Sequence, residues 1–259
     1  MDKKAIIKEL KTVLNLEKLM PTGYIIKKNK SEDGIDGHIV PYVDRNSYIA
    51  EQYKVLRTDF YFLSPEAPLK SVVMTSSRPQ EGKTITAANL ATAISLDEHK
   101  KVVLIDGDLR KPAIHDLFGI PRNPGFTDLL DGNVGLDHFM EKPVIESLHV
   151  IPAGSPCNHP AEKLNSERVK HVIDELKKQC DYIIFDTPPV LSATDASILG
   201  TVCDGTLLVI RAGVTKKEII REAYATLQNA RVTPKGCILT NTRSHGFFYD
   251  YYDKTKSLR

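Results

Sequence analysis

Lys83 and Thr84 close a short loop, Ser76-Ser77-Arg78-Pro79-Gln80-Glu81-Gly82-Lys83-Thr84, framed by two contrasting stretches. The apolar run Val72-Val73-Met74 leads in, and Ala87, Ala88, Leu90, Ala91, Ala93 and Ile94 lead out. A strand, a loop ending in Gly-Lys-Thr and a helix make the arrangement of a phosphate-binding P-loop. Its backbone N–H groups converge on one point, where the helix dipole favours negative charge. In that geometry Lys83 reaches the terminal phosphates of a nucleotide and the Thr84 hydroxyl sits on Mg²⁺. Ser77 stands where the first glycine of Gly-x-x-x-x-Gly-Lys-Ser/Thr is usual, so the loop is a variant. Taken alone it also reads as an ordinary strand-to-helix turn, and carboxylates elsewhere must decide.

Two further stretches supply them. Val102-Val103-Leu104-Ile105 is a continuous apolar run, as in a strand buried on both faces, and it ends in Asp106-Gly107-Asp108-Leu109-Arg110. Paired carboxylates repel unless a cation or a shared proton intervenes. Tyr182-Ile183-Ile184-Phe185 likewise runs into Asp186-Thr187-Pro188-Pro189, the Walker B pattern of a carboxylate that orients Mg²⁺ or its water. One strand-end Asp has a bland reading as a loop cap. Three of them downstream of a Gly-Lys-Thr loop are the parts of a Mg²⁺–nucleotide site.

These residues need a scaffold. Leu148–Pro152, Thr206–Ile210 and Gly236–Asn241 read as further strands. Amphipathic helices are expected over Val169–Lys178, Asp195–Val202 and Lys216–Ala230, with short helices and loops over 111–147. The alternation predicts an α/β fold, a mostly parallel sheet with helices on both faces. In such sheets ligands bind beyond the carboxyl ends of the strands. Ahead of the sheet, Ser47–Leu63 reads as a helix whose polar side carries Glu51, Lys54 and Arg57, three apart. By spacing alone these form an internal charge ladder on a solvated face.

The ends differ from this core. Residues 1–30 hold eight lysines against Asp2, Glu9 and Glu17, a local charge of +5, with apolar positions at helical spacing up to Leu19 and a helix end at Pro21. A solvated or self-packed helix is the plainer reading, and docking to a partner or an anionic membrane is the sharper one. Residues 27–38 read as a flexible linker. The expected divisions are therefore 1–44, a basic helix and linker; 45–245, the nucleotide-binding domain; and 246–259, a tail. That tail, Phe247-Phe248-Tyr249-Asp250-Tyr251-Tyr252-Asp253-Lys254, sets three tyrosines beside two acids, as a phosphorylation substrate would. The net charge of +2 gives no ground for a nucleic-acid partner. Neither an apolar run of membrane-spanning length nor a signal-peptide pattern is present, so a cytoplasmic protein is expected. Cys157, Cys180, Cys203 and Cys237 are widely spaced and read as buried free thiols.

Together, the Gly-Lys-Thr loop, Asp106-Gly107-Asp108-Leu109-Arg110, Asp186-Thr187-Pro188-Pro189 and the tyrosine-rich tail resemble the bacterial tyrosine kinases, more narrowly the cytosolic CpsD/CapB type of capsule and exopolysaccharide systems. The resemblance covers residues 45–259 and implies a P-loop NTPase fold of the deviant Walker A (MinD/ParA-like) type. It implies that Ser77, Arg78, Gln80, Glu81, Gly82, Lys83, Thr84 and Ile85 hold ATP or ADP, with Asn241 near the adenine. Thr84, Asp106 and Asp186 then serve Mg²⁺, Asp106 or Asp108 takes the phenolic proton, and Arg110 meets phosphate or a neighbouring subunit. Tyr249, Tyr251 and Tyr252 of an adjacent subunit become the acceptors. The family's Glu-x-x-Arg-x-x-Arg oligomerisation helix corresponds to Glu51, Lys54 and Arg57, with Lys54 departing from the pattern. Implied partners are other copies in a ring, a membrane-bound polysaccharide co-polymerase that recruits the kinase to the inner face of the membrane, a cognate phosphotyrosine phosphatase and other tyrosine substrates. The rival is a MinD/ParA-like positioning ATPase, in which Arg78 would stand for the signature lysine; a non-catalytic nucleotide-binding scaffold is a further rival.

Overall fold

In the computed structural model, residues 19–21, 31, 33–64, 67–97 and 100–242 are described. Their centre is a parallel sheet whose strands are β1 (Leu19–Pro21), β2 (Ser71–Ser76), β3 (Val102–Asp106), β4 (Leu148–Ile151), β5 (Tyr182–Asp186), β6 (Gly205–Arg211) and β7 (Gly236–Thr242). The spatial order is β1-β7-β6-β2-β5-β3-β4. The chain leaves β2 on one side for β3, β4 and β5 and returns on the other for β6 and β7. The carboxyl end of β2 is thus the point where the strand order reverses, the place where α/β sheets bind ligands.

Helices cover both faces, as the unbroken apolar strands require. They are α1 (Val40–Val43), α2 (Tyr48–Tyr61), α3 (Lys83–Ser95), α4 (Ile114–Phe118), α5 (Phe126–Leu130), α6 (Asp137–Met140), α7 (Pro160–Leu164), α8 (Glu167–Gln179), α9 (Asp195–Gly200) and α10 (Lys217–Asn229). Side chains alternate across each strand. Val72, Met74 and Leu104 pack with α1–α4. Val73, Val103, Ile105 and Phe185 pack with α5–α10. The small residues of α3 let it lie close on the sheet, with Ala87, Ala88, Leu90 and Ala91 inaccessible to solvent.

Register places the chemistry. β3 and β5 align so that Asp106 lies beside Asp186, both at their strands' carboxyl ends. The intervening Gly107 is a spatial requirement: a Cβ there would stand 2.9 Å from the Asp186 carbonyl oxygen. Its N–H donates to that same oxygen at 2.7 Å, so the two carboxylate-bearing turns are stitched together.

Three expectations are corrected. Leu19–Pro21, expected to end a helix, forms an edge strand parallel to β7. Proline lacks an N–H, and an edge position tolerates that. Residues 1–18 lie outside the described part. The stretch expected as a linker is packed where it is described. Ile35 and Ile39 are buried in the core with Val40, and the Asp36 N–H donates to the Leu117 carbonyl. Asn89 of α3 anchors it further, accepting from the Val40 N–H and donating to the His38 carbonyl. Finally, all four cysteines are free, but only Cys180 and Cys237 are buried, while Cys157 and Cys203 are partly exposed.

Candidate active site

The loop from Ser77 to Gly82 turns through two left-handed residues, Gln80 (φ 64°) and Gly82 (φ 89°). Glycine enters that region without the Cβ penalty and caps the start of α3. Glu81, between them, folds its side chain back into the loop. Its carboxylate accepts the N–H groups of Ser77 (2.7 Å) and Arg78 (3.0 Å). Its other oxygen accepts the Thr215 hydroxyl. From outside, Thr240 donates to the Glu81 carbonyl (2.7 Å) and Arg211 to that of Gln80 (3.4 Å). The loop is held in shape from within by one carboxylate and from outside by the ends of β6 and β7. The Ser77 hydroxyl, at its start, is buried without a hydrogen-bond partner among the described residues.

Lys83 begins α3 and points at the strand-end acids. Its ammonium lies 3.2 Å from Asp108 and 3.4 Å from Asp186, and the Thr84 hydroxyl donates to Asp186 at 2.7 Å. Burial works against the Lys83 charge, but Asp186 and Asp108 outweigh it and raise its pKa. Asp106 is fully buried and accepts three N–H groups, from Asp108 on one oxygen and from Ala113 and Ile114 on the other. Burial, then the neighbouring Asp186 charge, pushes Asp106 up to about 7. Burial also holds Asp186 above the usual carboxylate range against the pull of Lys83. With all three carboxylates ionised, the single Lys83 ammonium would leave the cluster with an excess of negative charge.

That excess is the requirement Mg²⁺ meets. Among the described residues no group of three or more His, Cys, Asp or Glu is arranged to hold a metal alone. Mg²⁺ is ordinarily bound by one or two carboxylates together with substrate phosphates. Thr84, Asp186 and Asp106, beside the P-loop and Lys83, fit that donor set.

The remaining residues singled out in the sequence fall in three places. Arg78 and Gln80 are exposed on the outer side of the loop, and Ile85 lies in the first turn of α3. Asn241, the penultimate residue of β7, is left-handed (φ 61°), its amide donating to the Ala212 carbonyl at 3.1 Å. Arg110 is paired within the chain, its guanidinium meeting both oxygens of fully buried Asp195 at 3.2 and 3.3 Å. On α2, Glu51 and Lys54 pair at 2.5 Å, whereas Arg57 turns away to the Ala93 carbonyl (3.1 Å) and Asp97 (3.5 Å). Tyr249, Tyr251 and Tyr252 lie outside the described residues.

Asp195, Thr215, Thr240 and the side-chain role of Glu81 escape a reading of the sequence. An acid opening a helix is unremarkable locally, and nothing near Asp195 points to an arginine 85 positions earlier.

A variant P-loop, an Asp-x-Asp turn and a Walker B carboxylate at the reversal point of a parallel sheet define a P-loop NTPase. Residues 70–235 match the family model described as AAA domain. Tyrosine-protein kinase YwqD of Bacillus subtilis is 36% identical over 228 residues, covering 88% of this chain and 95% of that protein. The putative tyrosine-protein kinase in the cps region of Klebsiella pneumoniae is 34% identical over 220 residues, 85% of this chain but 30% of that longer protein. The kinase domain of the Escherichia coli tyrosine kinase ETK superposes with a TM-score of 0.79 at 26% identity, covering 89% of this chain and 94% of that one. The chain belongs to the bacterial protein-tyrosine kinases.

Proposed function

We propose that this chain transfers the γ-phosphoryl group of ATP to tyrosine hydroxyls, first to Tyr249, Tyr251 and Tyr252 on the tail of a neighbouring copy. The observation that carries this reading is the Lys83 ammonium set between Asp108 and Asp186, with Thr84 bonded to Asp186, at the mouth of the loop. The loop N–H groups and Lys83 hold the β- and γ-phosphates. On arrival of the nucleotide, Lys83 exchanges its carboxylate partners for phosphate oxygens. Thr84, Asp186 and Asp106 would hold Mg²⁺, which when bound supplies charge neutralisation at the phosphates.

In the transfer, the tyrosine oxygen forms a bond to the γ-phosphorus, the bond from that phosphorus to the bridging oxygen breaks, and ADP leaves. The phenolic proton passes to Asp106 or Asp108, both at the carboxyl end of β3. A strong base is unnecessary, because positioning and electrostatics dominate through a loose transition state. Arg110, fixed by Asp195, presents its exposed side to a phosphate or an adjoining subunit, and Asn241 lies near the adenine.

The same reading extends to assembly. Glu51 and Lys54 meet the next copy in a ring, and Arg57, held by Ala93 and Asp97, fixes the helix that carries them. Phosphorylation adds about −1.5 to −2 charges per tyrosine. Next to Asp250 and Asp253, that charge drives the tail off its neighbour and loosens the ring. A membrane-bound polysaccharide co-polymerase activates and recruits the kinase, a phosphatase resets it, and the output is control of capsule or exopolysaccharide synthesis. The cps-region name of the Klebsiella relative supports this setting.

The test is incubation with Mg-ATP, wild type beside Lys83→Met, followed by phosphotyrosine mapping. Phosphate on the tail of the wild type alone is expected. ATP hydrolysis without phosphotyrosine, with the activator present, would instead mark a MinD/ParA-like positioning ATPase.

A further inference from the structure

A cavity of about 330 Å³ lies on the outer side of the P-loop, between it and the turn that joins β6 to α10. Three cations from three separate segments line it: Arg78 from the loop, Arg211 from the end of β6 and Lys216 from the start of α10. Among the described residues none of the three takes part in an ion pair. One carboxylate, Glu81, also borders the cavity, but it is 4% exposed and fully engaged by two loop N–H groups and the Thr215 hydroxyl. Helix α10 runs 13 residues from here, and its N-cap residue, Lys216, makes no side-chain cap. The first N–H groups of the helix add positive potential, which Glu218 in the same turn partly offsets.

Such a space suits a small anionic group better than an aromatic base. Its volume is near the lower end for ligand sites, roughly 300 Å³, enough for one or two side chains. Arginine offers a planar fork to a carboxylate and lysine a mobile point charge, so the trio matches an acidic side chain.

We infer that Arg78, Arg211 and Lys216 form a specificity pocket that seats the acidic residue flanking an acceptor tyrosine, with the tail of a second copy as its occupant. The inference rests on the kinase reading above and deepens it by naming what selects the tyrosine. In the tail, Asp250 stands between Tyr249 and Tyr251, and Asp253 follows Tyr252. Extended residues advance about 3.3 Å each. An aspartate held in this cavity, whose lining includes Arg78 and Glu81 of the P-loop, tethers the tail so that its tyrosines stay within a few residues' reach of that loop.

The test is a binding titration of the full chain, without nucleotide, against a fluorescent peptide spanning 247–254 and its Asp250→Asn/Asp253→Asn counterpart. Wild type should bind the acidic peptide roughly three- to tenfold more tightly, the scale of partly exposed charge pairs. Lys216→Glu should shrink that preference toward equality, since only Arg78 and Arg211 then remain against an added acid, while its affinity for a fluorescent ADP is unchanged. An acid at a helix start is compatible with the fold, so this variant should remain folded. Equal binding of the two peptides by wild type, or unaltered discrimination by Lys216→Glu, overturns the inference. Phosphotyrosine formation is scored in a parallel Mg-ATP reaction, so loss of the kinase reading registers there and the pocket is judged by binding alone.

Discussion

Lys83 does two jobs at the residue scale. In this structure it balances Asp108, just past β3, and Asp186, at the end of β5, and in the proposed reaction it turns to the phosphates. Lys83→Met should therefore abolish phosphotyrosine formation and also leave Asp108 and Asp186 without their cation. Glu81 acts differently, by shaping the loop that Lys83 closes. Hydrogen bonds to a charged group are worth about 1.5–3 kcal/mol, and Glu81→Gln weakens two of them. We expect it to loosen ATP binding about tenfold, read by nucleotide titration; an unchanged affinity would show that the loop keeps its shape without this carboxylate. The two residues also differ in legibility. Residue type and spacing mark Lys83, Thr84, Asp106 and Asp186, because a Gly-Lys-Thr loop followed by several strand-end acids has few other physical uses, although each feature alone has a bland one. Glu81 carries no such mark, since its role exists only once Gln80 and Gly82 turn left-handed and fold it inward.

At the scale of elements, the site depends on strands aligned at their carboxyl ends. Gly107→Ala would drive a Cβ against the Asp186 carbonyl, 2.9 Å away, and neither side is a flexible side-chain tip. A loss of about 1–3 kcal/mol in unfolding free energy is expected, with a larger fall in kinase rate as Asp106 and Asp186 separate. Denaturant unfolding beside a turnover assay checks both. The opposite end of the sheet is clamped by Asp204. It accepts the Ser71 N–H (2.8 Å), the Ser71 hydroxyl (3.0 Å) and the Lys70 N–H (3.1 Å), and pairs with Lys177 at 2.6 Å. Burial pushes this carboxyl upward, but Lys177 and Ser71 outweigh it and hold it below the usual range. A lowered folded-state value stabilises the fold at pH above the unfolded value, near 3.9, and that contribution is lost as pH falls through the folded value. The thermal midpoint should drop between about pH 5 and 3, and Asp204→Asn should drop less across the same window. The strands themselves are evident from their apolar runs. β1 is not, because Leu19–Pro21 becomes a strand only by pairing with β7, more than two hundred positions away.

Across the whole molecule, the described part of 31–43 links the front of the chain to the nucleotide helix. Asn89 bonds it to α3, and Asp36 bonds it to α4, whose first N–H groups cap Asp106. Composition alone reads the polar half of this stretch as a linker, because Ile35 and Ile39 acquire meaning only against a core built later in the chain. Assembly belongs to this scale too. Arg57 is anchored to Ala93 and Asp97, so Glu51→Ala with Lys54→Ala should lower oligomer mass in sedimentation while leaving monomer stability within about 0.5 kcal/mol, the size of an exposed pair on a helix. The central claim is transfer to the tail of another copy, and a mixing experiment reads it most directly. Lys83→Met with its tail intact is combined, in Mg-ATP, with a chain whose Tyr249, Tyr251 and Tyr252 are all phenylalanine. Phosphotyrosine on the Lys83→Met chain, appearing only in the mixture, is the predicted result; ATP consumed in the mixture with no phosphotyrosine on that chain would contradict the account.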